Sequence, residues 1–283
     1  MKLAVRHTTT YEYSRTVADS INDAHLHPTS NDGQRCESFD LTVEPASAKI
    51  LRRLDFYTNQ VHHIEVHEPH DRLVIRADSV VETLPDPRGL EQAVPAESLK
   101  ALKANDRFYD FLNESPRIPL VPQVVHIVAN ELPAFDDVRQ GVEDRLAFID
   151  REFTYQPGET TVSTTVPEAI EARKGVCQDF AHVMLALCRA SGIPARYVSG
   201  YFHVDTPSED PADANHQSHA WVECYLPDIG WAGYDPTHNR PAGERYVKVA
   251  VGRDYADVRP VAGTFRGKAE ARLEVRVRVE RLD

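Results

Sequence analysis

The sequence predicts an α+β fold with a β-rich N-terminal part and a mixed second part, on three observations. Up to about residue 84, short runs rich in β-branched and aromatic residues alternate with Asn, Asp, Gly and Pro. From about residue 96 the apolar spacing lengthens to a helical period. After Pro194, alternating strands return, and the last residues alternate once more.

In the first part, "KLAVRHTTTYEYS", "ESFDLTVEPA", "QVHHIEVHE" and "DRLVIRADSVVETL" read as strands of a sandwich or curled sheet. "PDPRGLEQAVP", residues 85–95, carries three prolines and a glycine and reads as a linker. The expected organisation is therefore a β domain over 1–84, a linker, and a second domain over 96–267. Residues 268–283 are expected to add a strand to the first sheet, since the termini of a domain often lie close together. In the second domain, Val138, Val142, Leu146, Ile149 and Phe153 form one apolar helical stripe. Thr165 and Glu168 have capping-box spacing, with Pro167 in the first turn and Gly175 as the stop. The next helix opens at Cys177 and ends before Gly192 and Pro194. "ARYVSGYFHV", "SHAWVECYL" and "GWAGYDP" follow as strands.

At 283 residues with 41% apolar and 27% charged residues, the chain has the composition of a globular protein. No apolar run approaches the ~18 residues of a membrane span, and the polar start lacks a secretory h-region, so a cytoplasmic protein without membrane contact is expected. A net charge of −12 argues against nucleic acid. The one basic run, "RLEVRVRVERL", has arginines alternating with Leu and Val, the pattern of one polar strand face.

Four cysteines occur and none forms a CxxC pair. Cys188 falls within an apolar helical run, Cys224 on the Ala220–Val222–Leu226 face of a strand, and Cys36 after a polar turn. Cys177 differs, because the first turn of a helix offers free N–H groups and a positive dipole end that favour a thiolate. Asp179 is expected to oppose that effect.

A cysteine nucleophile needs an imidazole, and the imidazole an orienting group. Of thirteen histidines, His182 lies about 140° around the helix from Cys177 and points away from it. His219 opens a strand that sets His219, Trp221, Glu223 and Tyr225 on one face. The turn "PDIG" joins this strand to the next, so hairpin pairing brings Asp235, at the end of the second strand, beside His219. Asp228, His238 and the loop residue His216 are nearby competitors. In the β region His62, His63, His67 and His70 cluster in sequence, but His63 and His67 stand ~13 Å apart along a strand, too far for one metal ion.

Together, "GVCQDFAHVMLALCRASGIPARYVSGY" and "SHAWVECYLPDIGWAGYDPTHN" resemble the transglutaminase-like superfamily, in its bacterial branch of candidate cysteine proteases. The similarity runs from about 144 to 240, and the N-terminal region resembles the β domain that precedes this core in bacterial members. One departure is "LDFYTNQV", where relatives carry Asp-x-x-Gly-Asn and this chain has Thr58 in place of the glycine.

The resemblance implies a papain-like transglutaminase core with Cys177 as nucleophile, His219 as general base and acid, and Asp235 as orienter. It implies acyl transfer through a thioester on peptide or protein amides. The acceptor would be water, which makes a protease or amidase, or an amine, which makes a transglutaminase. A non-catalytic scaffold is the remaining alternative. Trp221 and Tyr155 are the expected substrate-site walls. Animal relatives use calcium, but no EF-hand loop is present here, so no metal or other cofactor is expected.

Overall fold

The computed structural model describes residues 1–85, 92–204 and 218–283. Most of the expected linker (86–91) and His216 lie outside the described residues.

The N-terminal region is a curled antiparallel sheet built on one long strand, β1 (Lys2–Ala24). β2 (Gln34–Glu44), β3 (Lys49–Leu54), β4 (Gln60–Val66) and β5 (His70–Thr83) follow it. The first half of β1 pairs with β5 and its second half with β4. It changes neighbours across a register shift between Glu12 and Val17, close to Asp19, whose φ of 47° is left-handed. Tyr13, Val17, Leu26, Ile64, Leu73 and Ile75 fill the resulting concavity. Two C-terminal strands, β13 (Val261–Arg266) and β14 (Ala271–Arg281), also pair with β1.

Between them lies the mixed region. Its helices are α1 (Leu99–Lys103), α2 (Tyr109–Leu112), α3 (Pro122–Asn130), α4 (Val138–Glu152), α5 (Val166–Ala172) and α6 (Cys177–Ala190). The short strands β6 (Thr154–Tyr155) and β7 (Lys174–Gly175) pair in parallel. A second sheet has the order β11 (Arg240–Pro241), β10 (Gly230–Asp235), β9 (Ser218–Leu226), β8 (Ala195–Phe202) and β12 (Tyr246–Gly252). From Asp179 to Arg189 every residue of α6 is buried, as expected of a helix that is apolar nearly all round. It packs on the Ala220–Val222–Cys224 face of β9, with Cys188 Sγ 3.7 Å from Cys224 Sγ.

The capping box of α5 forms as its sequence predicts: Thr165 N donates to Glu168 Oε2 at 2.8 Å and Glu168 N to Thr165 Oγ1 at 3.4 Å. Gly175 is not what stops this helix. Arg173 closes it with a left-handed φ of 52°, and the glycine serves the next helix instead.

Two side-chain amides join the regions. Gln34 exchanges hydrogen bonds with the Lys248 backbone at 2.8 and 2.7 Å, and Asn59 with the Val251 backbone at 2.7 and 2.8 Å. Both satisfy main-chain groups along β12, which would otherwise present an open strand edge. Asn59 is held by Asp55 in the turn where Thr58 replaces the relatives' glycine, and Thr58 adopts φ 66° there. The glycine that the resemblance implied at this position fits a left-handed backbone, which this chain imposes on a β-branched residue.

Candidate active site

Cys177 is the first residue of α6 and is partly exposed. Asp179 Oδ2 accepts from Val176 N at 2.9 Å and from Thr160 Oγ1 at 2.7 Å. The carboxylate therefore ties down the entry to the helix, and burial raises its pKa against the lowering effect of these bonds. A Cβ on Gly175 would lie 2.7 Å from Asp179 Cβ, so this cap requires glycine two residues before the thiol.

The β9–β10 hairpin pairs Leu226 with Gly230 and Val222 with Tyr234. One step further sets Asp235 opposite Trp221, which makes His219 its diagonal neighbour on the same face. His219 Nε2 donates to Asp235 Oδ2 at 2.8 Å, with both residues buried. The Cys177 side chain adds to Asp235 in favouring the charged imidazole, and with Nε2 engaged by Asp235 the ring's other nitrogen, Nδ1, is the one left for a further partner. The fold thus brings together Cys177, His219 and Asp235 from a helix, a strand start and a strand end.

Asp235 is more heavily partnered than the sequence suggested. Its Oδ2 also accepts from His238 Nδ1 at 2.7 Å and Tyr246 Oη at 2.7 Å, and its Oδ1 from Thr237 N at 2.8 Å. Arg240 Nε donates to Tyr246 Oη at 3.1 Å. Burial alone would raise the carboxyl pKa, but the two imidazoles hold it well below the usual range. For His219, burial favours the neutral ring, yet Asp235 and then Cys177 outweigh it and raise the pKa to about 10. His238 therefore belongs to the site, and its place three residues after Asp235 was the available signal. Tyr246 gave none, because it arrives from β12, across β8, where it pairs with Phe202.

His219, Asp235 and His238 also form a potential donor set, with ligand atoms within 4.8 Å of one another. Both ring nitrogens, however, approach the same oxygen at hydrogen-bond distance. Two ligands on one tetrahedral ion would stand roughly 3.3 Å apart. This spacing is that of shared protons.

Trp221 is 2% exposed and lies behind His219, ring centroids 6.2 Å apart, within the cluster of Val198, Phe202 and Tyr246. Gly200, opposite His219, leaves room for this ring: a Cβ there would fall 2.6 Å from the indole. Tyr155 pairs with Gly175, and its ring stands nearly perpendicular to that of Phe180, centroids 6.2 Å apart. His182 accepts from Tyr255 N, away from the thiol, and burial lowers its pKa to about 4. The N-terminal histidines hold separate partners: His63 has Asp23, His67 has Asp19, and His70 has Ser20.

Residues 3–82 match the bacterial transglutaminase-like N-terminal region, and residues 127–236 match the transglutaminase-like superfamily core. An uncharacterized protein of Mycobacterium tuberculosis (strain ATCC 25618 / H37Rv) is 37% identical over 94% of this chain and 88% of its own length. One from Mycobacterium leprae is 33% identical over 99% of both. A protein-glutamine gamma-glutamyltransferase of Pseudomonas aeruginosa is 35% identical over 88 residues, which are 30% of this chain and 13% of that protein. The fold superimposes on a candidate cysteine protease from Cytophaga hutchinsonii with a TM-score of 0.77 and 24% identity, covering 100% of this chain and 92% of that one.

Proposed function

This chain belongs to the transglutaminase-like superfamily, whose members support cysteine-dependent catalysis, and on that premise we propose that it cleaves peptide or protein amides through a thioester on Cys177. The observation that carries the reading is the buried His219–Asp235 pair, 2.8 Å apart, whose charged ring the Cys177 side chain at the start of α6 also favours. Against burial, Asp235 favours the charged ring, so in this reading His219 takes the thiol proton as the sulfur attacks. A thiolate is the attacking species of a cysteine enzyme.

The sulfur adds to the amide carbon, and the carbonyl electrons move to oxygen. In this reading the backbone N–H of Cys177 donates to that oxyanion. Collapse breaks the C–N bond as His219 gives its proton to the departing amine. Water then attacks the thioester while His219 takes up a proton, and the thiolate leaves with a carboxylic acid as product. Asp235 keeps the ring in one orientation and balances its charge throughout.

Hydrolysis is the favoured outcome because water needs no second binding site. Transfer to an amine is the alternative, favoured by the segment shared with the protein-glutamine gamma-glutamyltransferase. Both are tested by incubating the protein with glutamine-containing peptides, with and without a primary amine, and following products by mass. Backbone cleavage or glutamine deamidation that disappears in Cys177→Ala supports hydrolysis, and amine adducts support transfer. Turnover that persists in Cys177→Ala would overturn both.

A further inference from the structure

The basic run near the C-terminus forms β14, which among the described residues pairs with β1 alone. It is an edge strand whose polar face is exposed throughout and whose apolar face is exposed at its N-terminal end, while Val277 is half-buried and Val279 packs into the core. Leu273 and Val275 on one side are 54% and 48% exposed. On the other side the side chains of Glu274, Arg276, Arg278 and Glu280 are 49%, 78%, 71% and 52% exposed. A long edge strand with unpaired main-chain groups and a partly uncovered apolar side is a template for strand addition.

Its charge order says what would be added. From residue 272 the polar face reads Arg272, Glu274, Arg276, Arg278, Glu280. When this strand is laid antiparallel to a copy of itself, with the two-fold axis at Arg276, Arg272 meets Glu280 and Glu274 meets Arg278. Symmetry repeats both pairs, and Val275 meets Val277 on the other side. Only Arg276 meets its own kind, and Glu274 Oε1 lies 2.6 Å from that guanidinium within each strand. An axis at residue 277 would oppose Glu274 to Glu280 and Arg276 to Arg278. An axis at 275 would oppose Arg272 to Arg278 and Glu270 to Glu280, against the one favourable pairing of Glu274 with Arg276. Directly opposed unlike charges favour a register and like charges disfavour it.

We infer that β14 is a homodimer interface, in which a second copy of this chain adds its own β14 antiparallel about Arg276 and joins two curled sheets into one. The inference is independent of the proposed chemistry.

The test is sedimentation of the full chain over a range of concentrations, with two charge variants. One carries Glu274→Arg and Glu280→Arg, and the other carries Arg272→Glu, Arg276→Glu and Arg278→Glu. All five positions are on the surface, and circular dichroism checks that each variant folds. The expected result is a wild-type dimer, two variants that are monomeric alone, and a dimer restored when the variants are mixed. A wild-type chain that stays monomeric at 200 µM, or a dimer that survives in both variants, would overturn the proposal.

Discussion

β9 and β14 share one alternating pattern and meet opposite fates. β9 has strands on both sides, α6 against one face and an aromatic cluster against the other, and nearly all of it is buried. β14 pairs with β1 alone among the described residues and is almost wholly exposed. The difference shows in what each strand does with a charge. Glu223 on β9 is enclosed with Arg196, 2.6 Å away, and with Lys248. Burial would raise its pKa, but the two cations lower it to about 2. Glu274 on β14 meets Arg276 in open solvent. Alternation therefore specifies a strand, and the neighbouring elements decide whether its polar residues are buried machinery or surface.

The sharpest break of this comparison is Glu223→Ala, which strands two cations around a buried vacancy. A loss of about 3–5 kcal/mol is expected in urea unfolding. Glu274→Ala, measured at low protein concentration, should cost less than about 0.5 kcal/mol. Equal costs would contradict the contrast.

Next in size is Tyr246→Phe. It removes one donor from Asp235 and an acceptor from Arg240, for an expected loss of about 1.5–3 kcal/mol in the same assay. An unchanged midpoint would mean that the hydroxyl is redundant.

A pH effect follows from His7, which shares hydrogen bonds with Thr9 Oγ1 at 3.0 Å and Tyr201 Oη at 3.1 Å where the two regions meet. Burial lowers its pKa to about 4, and does the same for His182. Between about 6.5 and 4 the unfolded chain therefore binds protons that the folded one does not. Stability should fall as pH drops through that window and level off below it. A His7→Gln variant should show a shallower slope. The pair at the active site acts in the opposite sense: the raised pKa of His219 adds stability that is complete below about 6.5 and is lost as pH rises through about 10.

The smallest effect expected is a gain. Thr58→Gly relieves a left-handed β-branched residue and should stabilise the chain by about 1 kcal/mol, net of the entropy that glycine adds to the unfolded state. A loss would show that the Thr58 side chain contributes more than its backbone costs.

The sequence made much of the candidate site legible, because local rules govern its parts. A helix start placed Cys177, a hairpin turn placed Asp235 near His219, and a capping spacing placed α5. What it concealed came from non-local pairing. Tyr246 reaches Asp235 through a strand that returns beyond β8, and Lys248 reaches Glu223 by the same route. The Arg173 stop of α5 was hidden for a different reason: a glycine stood two residues away, and only packing shows that Asp179 needs it. His238 was visible in the sequence but could not be told from a solvated turn residue.

The central claim is that Cys177 and His219 act as an activated pair, and the protein supplies its own controls. Cys36 is partly exposed with a pKa raised by burial, and Cys188 and Cys224 are buried. Intact mass after brief iodoacetamide treatment at about pH 6, where an ordinary thiol is under ~1% thiolate, isolates the claim. The account predicts one fast adduct, at Cys177, absent in Cys177→Ala and slowed in His219→Ala. An adduct rate at Cys177 no greater than at Cys36, or one indifferent to His219→Ala, would contradict it.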